Sequence, residues 1–244
     1  MSKPIIEVMA DPETLAQHAA DWLLGLARAK QGVFTVCLSG GSTPKRLYQL
    51  LASPPLRDAF PWGRTHWFWG DERFVPHDDP ASNYHMTQEA MLSRAPVPPA
   101  NIHPMPTEGL DAEAAARAYE RELKSFYGAD TLDPARPLFD VELLGLGTNG
   151  HTASLFPGTP VLKERDHWVG TMTDRDAGTR LTLTYPALES AGEVAFLVAG
   201  KDKRAVLGEI LDGKSALPAA QLHPVGTLRF LMDRAAAPES LSRS

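Results

Sequence analysis

The chain has 244 residues, with 24 Lys+Arg against 30 Asp+Glu and a formal net charge of −6. That acidic balance speaks against a nucleic-acid-binding protein, which carries a basic patch; an apolar fraction of 43% and a charged fraction of 22% are those of a folded globular chain. The single cysteine, Cys37, leaves no internal disulfide or thiolate zinc site, the start lacks the apolar core of a signal peptide, and the longest apolar runs, such as 194–199, fall far short of the roughly 18 residues of a membrane span. A soluble cytoplasmic protein in a reducing compartment is expected.

Strand-like and helix-like runs alternate. Asp11-Pro12-Glu13-Thr14 opens a helix, with Asp as N-cap and Pro in the first turn, and Leu15, Ala19, Trp22, Leu23 and Leu26 share one face until Gly32 ends it. Residues 34–38 read as a short buried strand. Thr43-Pro44 starts a second helix, with Thr43 as its cap and Leu47, Leu50 and Leu51 apolar. Residues 66–69 form a strand and 83–92 a helix. Five prolines within 96–106 make a stiff surface connection. The clearest helix spans 111–127. Residues 139–146 form a strand with little alternation, as expected when both faces are covered. Strands follow at 168–172, 181–185 and 194–198, a helix at 201–211 and a last strand at 228–232; from Ala235 the end is expected to fray. This order predicts an α/β protein with a doubly wound, mostly parallel sheet flanked by helices, one domain over 1–244 with room for a small subdomain. In such sheets ligands sit at the carboxyl ends of the strands.

The segments just after the strands carry the chemistry. Leu38 leads into Ser39-Gly40-Gly41-Ser42-Thr43-Pro44. The glycines allow close backbone approach, and the helix they open offers free N–H groups to an anion, though the same residues also read as an ordinary turn. The Gly-Lys-Ser/Thr ending of a nucleotide P-loop is missing. Lys45 and Arg46 lie in that helix's first turn, where cations oppose the dipole by roughly 0.3–1 kcal/mol each. Gly200-Lys201-Asp202-Lys203-Arg204 repeats the anomaly after Val198, and two such cases suggest a common anionic ligand. Gly70-Asp71-Glu72-Arg73 comes after Trp69; its arginine either grips a phosphate or pairs locally with Asp71 and Glu72. Gly145-Leu146-Gly147-Thr148-Asn149-Gly150 has dinucleotide spacing, but Pro157 and Gly158 stop any long helix after it and argue against that cofactor. His151 next begins a helix turn, which disfavours imidazolium; it reads as a neutral general base, or as a capping or packing histidine. Cys37 reads as core packing, and no spacing of histidines and acids reads as a metal site.

Taken together, Leu38-Ser39-Gly40-Gly41-Ser42-Thr43-Pro44, Trp69-Gly70-Asp71-Glu72-Arg73-Phe74-Val75-Pro76, Ser82-Asn83-Tyr84 and the run from Gly145 through His151-Thr152-Ala153-Ser154-Leu155-Phe156-Pro157 resemble the 6-phosphogluconolactonases of the glucosamine-6-phosphate isomerase/6-phosphogluconolactonase family. Gly200 and Lys203 continue the match, which extends from about Thr14 to Leu231. The resemblance implies the fold of glucosamine-6-phosphate deaminase, ribose-5-phosphate isomerase and CoA transferases. It implies hydrolysis of 6-phospho-D-glucono-1,5-lactone to 6-phospho-D-gluconate, without metal or cofactor, in the second step of the oxidative pentose phosphate pathway. The implied partner is a small sugar phosphate lactone; no nucleic acid and no membrane partner is expected, and the expected assembly is a monomer or weak homodimer. His151 matches the family's catalytic histidine, with Asn149 beside it; Gly40, Gly41, Ser42, Thr43, Asp71, Arg73, Arg180 and Lys203 are the implied substrate contacts. The family often has Asp-Gly-His where this chain has Asn149-Gly150-His151, and an amide orients a ring without supplying charge. Two other readings stand beside this one. A glucosamine-6-phosphate deaminase would need an acid after the histidine that residues 152–157 lack. A non-catalytic sugar-phosphate sensor of the transcription-regulator kind would need a DNA-binding domain ahead of a core that starts by about Val33.

Overall fold

The computed structural model describes residues 3–213 and 215–241. Its strands are β1 (Ile5–Met9), β2 (Phe34–Leu38), β3 (Thr65–Trp69), β4 (Asp71–Arg73), β5 (Phe139–Leu144), β6 (Val169–Asp174), β7 (Gly178–Leu183), β8 (Ala191–Val198) and β9 (Thr227–Asp233). Its α-helices are α1 (Pro12–Ala29), α2 (Ser42–Leu51), α3 (Leu56–Ala59), α4 (Asn83–Thr87), α5 (Ala112–Tyr127), α6 (Tyr185–Glu189) and α7 (Arg204–Leu211). Six strands form an all-parallel sheet in the order β1-β9-β8-β5-β2-β3, and three form an antiparallel sheet in the order β4-β7-β6. The architecture is thus the expected helix-flanked, mostly parallel α/β fold.

Local chemistry explains the well-predicted elements. Asp11 Oδ1 accepts from Thr14 N at 2.8 Å and Asp111 Oδ1 from Ala114 N at 2.7 Å, so α1 and α5 each start on a capping aspartate. α5 ends on Gly128 in the left-handed region, at φ +78. α1 ends at Ala29, with Gly32 (φ +76) turning the chain toward β2. Neighbouring strand residues point to opposite faces, and the parallel sheet is covered on both: Phe68 meets Phe126 of α5, whereas Trp67 meets Phe60 and Trp62.

Several expectations need correction. β1 was not anticipated; it is an edge strand paired with β9, so ordered structure begins well before Val33. β4 is only three residues long. The strands expected at 168–172 and 181–185 do not join the parallel sheet but pair with each other and with β4, and Tyr185 heads α6. α2 begins at Ser42 on Gly41 (φ +105) without a side-chain cap, so Thr43 lies inside it. The helix expected at 201–211 is a 3₁₀ turn, Lys201–Lys203, before α7. The helix at 83–92 is α4 followed by a wider π turn. The end does not fray at Ala235: Ala236 and Ala237 are buried and Ala236 N donates to Asp233 Oδ1 at 2.8 Å; residues 242–244 lie outside the described residues. The proline-rich segment covers the free edge of β3, with Ile102 bridging Trp67 and His103 N donating to Trp67 O at 2.9 Å. No helix among the described residues is long and apolar enough to cross a membrane.

Candidate active site

The chain leaves β2 toward β3 and leaves β5 toward β8, so the crevice between β2 and β5 is where connections diverge, the usual ligand position in an open parallel sheet. A crevice of about 280 Å³ opens there, walled by the segments after β2, β3, β5 and β8. That volume is at the low end for ligand pockets, which suits a small ligand. A larger hollow of about 440 Å³ beside α7 and β9 is apolar, and His223 is its only titratable lining group among the described residues.

Two buried phenols fix the strand ends. Tyr48 Oη accepts from Ser39 N at 3.0 Å and donates to Ser39 O at 2.8 Å; Tyr119 Oη does the same for Trp69, at 3.0 and 3.3 Å. Each satisfies backbone groups where the ladder stops. Beyond Ser39, Gly40 is packed so closely on Asn83 that a Cβ would lie 2.0 Å from its Oδ1. Gly41 then turns the chain into α2, whose uncapped start leaves the N–H groups of Ser42 and Thr43 at the crevice. At Gly70 the chain crosses between sheets: Gly70 N still donates to Leu38 O, but its carbonyl accepts from Leu183 N of β7.

The loop after β5 is closed on itself by Gly147 N to His151 O at 2.8 Å and Gly150 N to Gly147 O at 3.0 Å. A Cβ on Gly147 would lie 2.0 Å from His151 Nδ1, so this position must be glycine for the imidazole to occupy its place. Asn149 Oδ1 accepts from His151 N at 3.2 Å and from Nδ1 at 2.6 Å. An amide oxygen only accepts, so the proton sits on Nδ1 and the Nε2 lone pair is left free; no described residue bonds to it. Burial holds the His151 pKa below the usual histidine value; Asp71 opposes this, while Arg180 and Lys203 reinforce it. The ring is therefore neutral as expected, but not for the expected reason: His151 begins no helix and leads into a tight turn in which Ala153 sits at φ +46.

Charge in the crevice is organised around Asp71. Its Oδ2 accepts from Ser154 Oγ at 2.6 Å, its Oδ1 from Asn83 Nδ2 at 3.2 Å, and Arg180 Nη1 lies 3.8 Å from Oδ2. Arg73 and Arg180 are direct cross-strand partners in β4 and β7, where like charges are destabilising unless an anion joins them. Arg73 Nε is buried with no hydrogen-bond partner among the described residues. The Arg73 guanidinium makes no ion pair with Glu72: that carboxylate instead accepts from the backbone N–H groups of Arg73 at 2.8 Å and of Asn83 and Tyr84, each at 2.7 Å, and anchors the start of α4.

Gly40, Gly41, Ser42, Thr43, Asp71, Arg73, His151, Arg180 and Lys203 all line this one crevice. Asn149 is exposed, does not line it, and meets it through His151. Asn83 lines the crevice and Ser154 lies behind it, both holding Asp71; the sequence alone assigns neither a role, and only the register of distant segments reveals one. Two cations expected to await an anion do other work. Arg46 pairs with Glu13 at 2.6 Å, and Arg204 Nε donates to Ala235 O at 3.1 Å. The 145–150 glycines open no helix, against a dinucleotide site. Among the described residues no three His, Cys, Asp or Glu side chains cluster to hold a metal ion.

Known proteins match this chain over most of its length. The family described as "Glucosamine-6-phosphate isomerases/6-phosphogluconolactonase" matches residues 10–230. A 6-phosphogluconolactonase of Synechocystis sp. is 43% identical over 239 residues, 96% of this chain and 97% of that protein. The crystal structure of 6-phosphogluconolactonase from Thermotoga maritima superposes with a TM-score of 0.81 at 31% identity, covering 95% of this chain and 100% of that one. A monomeric glucosamine-6-phosphate deaminase shares the fold, with a TM-score of 0.80 over 95% of this chain and 98% of that one, but at 24% identity it speaks to fold alone.

Proposed function

The chain belongs to the family of glucosamine-6-phosphate isomerases and 6-phosphogluconolactonases, and we propose from that premise how its crevice hydrolyses 6-phospho-D-glucono-1,5-lactone to 6-phospho-D-gluconate, in the oxidative pentose phosphate pathway. One observation carries the reading: a neutral imidazole with a free Nε2 shares a crevice of about 280 Å³ with Arg73, Arg180, Lys203 and the uncapped start of α2. A base and an anion cradle that close together suit a small substrate with a phosphate at one end and an electrophile at the other.

The phosphate docks on the N–H and hydroxyl groups of Ser42 and Thr43, with Arg73 and Lys203 closing over it. Docking fixes the lactone carbonyl near His151 and turns attack by water into an oriented, effectively unimolecular step. Nε2 takes a proton from water as the water oxygen bonds to C1. The oxyanion that develops is met by Arg180 and by N–H groups of the glycine loops. The bond between C1 and the ring oxygen then breaks, and the imidazolium returns its proton to that oxygen. Asn149 stabilises the Nδ1–H tautomer throughout. Asp71, held by Ser154 and Asn83, orients Arg180 and is placed to accept from a sugar hydroxyl.

The test is hydrolysis of freshly generated lactone with the spontaneous rate subtracted, run beside unphosphorylated glucono-1,5-lactone. The expected result is catalysis of the phosphorylated lactone with kcat/KM at least about 10³-fold above that of the unphosphorylated one, since several charge-assisted hydrogen bonds are lost without the phosphate. Equal rates on the two lactones would remove the phosphate cradle; release of ammonia from glucosamine 6-phosphate would favour a deaminase.

A further inference from the structure

Two different constraints act on the His151 ring, and the lactonase mechanism uses one of them. The bond from Nδ1 to Asn149 Oδ1 at 2.6 Å fixes one atom. One hydrogen bond still lets the ring tilt about χ1 and χ2, so it does not by itself hold Nε2 in a single direction. The second constraint is Phe156. Its ring lies against the imidazole with centroids 4.0 Å apart and planes inclined by 10°, a contact that resists tilting. Phe156 is half-buried and lies outside the crevice wall. The turn that brings it back under His151 closes through Leu155 N to Thr152 O at 2.9 Å, and Phe156 O accepts from Thr159 Oγ1 at 2.7 Å. The guanidinium of Arg180 lies 5.5 Å from the same ring.

We propose that Phe156 is a positioning residue: the plane that, with the Asn149 bond, leaves the imidazole a single orientation and delivers Nε2 to the crevice. The inference rests on His151 being the base. Phe156 lies outside the crevice wall and away from the phosphate cradle, so its loss lowers turnover without weakening phosphate binding.

Phe156→Leu keeps apolar bulk and removes the plane; Phe156→Tyr keeps the plane; Phe156→Met is a second non-planar variant should the leucine chain not fold. These are compared with wild type and His151→Gln in lactone hydrolysis. The His151 ring protons are tracked by NMR, assigned by their disappearance in His151→Gln. In wild type the phenyl ring current is expected to move them upfield. Phe156→Leu or Phe156→Met should return them to ordinary histidine positions and lower kcat about tenfold, with KM within about twofold of wild type. Phe156→Tyr should retain both shift and turnover. Unshifted ring protons in wild type overturn the proposal, as do unchanged kcat in the non-planar variants or equal losses in all three. The two readings separate cleanly: if His151→Gln keeps turnover, the base assignment fails; if it loses turnover while Phe156→Leu keeps it, only the positioning role fails.

Discussion

At the scale of single residues, His151 is kept neutral by burial and oriented by an amide rather than by a carboxylate. Because its pKa is held below the ordinary 6.5, the acid limb of kcat/KM should have its midpoint below pH 6.5, read from a pH–rate profile. The same shift bears on stability. The unfolded ring binds a proton more readily than the folded one, so this contribution is present above about pH 6.5 and is lost as pH falls below it. Asn149→Asp would add a negative charge beside the ring. The predicted outcome is an acid limb moved to higher pH in the same assay, with KM little changed. Asn149→Ala leaves Nδ1–H without its acceptor and should lower kcat by about 10- to 100-fold at similar KM, in line with losing one hydrogen bond and the tautomer and orientation it supports.

At the scale of elements, the loop after β5 and the core of that strand make opposite predictions. Gly147→Ala would drive a methyl group into the imidazole, so turnover should fall at least about 100-fold while stability drops by about 1–3 kcal/mol, the usual cost of overpacking. Glu142, in the middle of β5, is fully buried, and the weak Cys37 thiol is the side-chain donor that interacts with its carboxyl group. Burial pushes its pKa well above the usual carboxylate range. Raised in this way, it makes the fold less stable as pH rises from about 4.5 toward its folded value. Glu142→Met, of similar volume, should raise stability at pH 7 by about 1–3 kcal/mol by denaturant titration, with turnover unchanged. The helices α1 and α5 were legible because caps and periodic apolar residues are local signals. The antiparallel sheet was not: alternation marks a strand but never its partner, and β4 is too short to show a pattern. Likewise the glycine loops and His151 were legible in the chain. Arg180 came only from family resemblance, and the service of Asn83 and Ser154 to Asp71 depends on contacts between distant segments.

At the scale of the whole molecule, a chain of net charge −6 binds a dianion because charge is placed locally. Helix faces elsewhere carry the acids, while Arg73, Arg180 and Lys203 converge on one crevice. Lys203 lies 3.2 Å from the exposed Asp202 and otherwise faces the crevice, so Lys203→Met should change stability by less than about 0.5 kcal/mol and raise KM about tenfold. The wild-type KM should rise with ionic strength, and less steeply in that variant, as one screened charge is removed. The proposed mechanism makes His151 Nε2 the base inside this cradle. The most direct test measures lactone hydrolysis by His151→Gln and wild type at the same pH, with inhibition by 6-phosphogluconate measured in both by its effect on residual turnover. The predicted result is a kcat at least about 10³-fold lower in the variant with product affinity within about threefold; near-normal turnover in His151→Gln would contradict the assignment of His151 as the base.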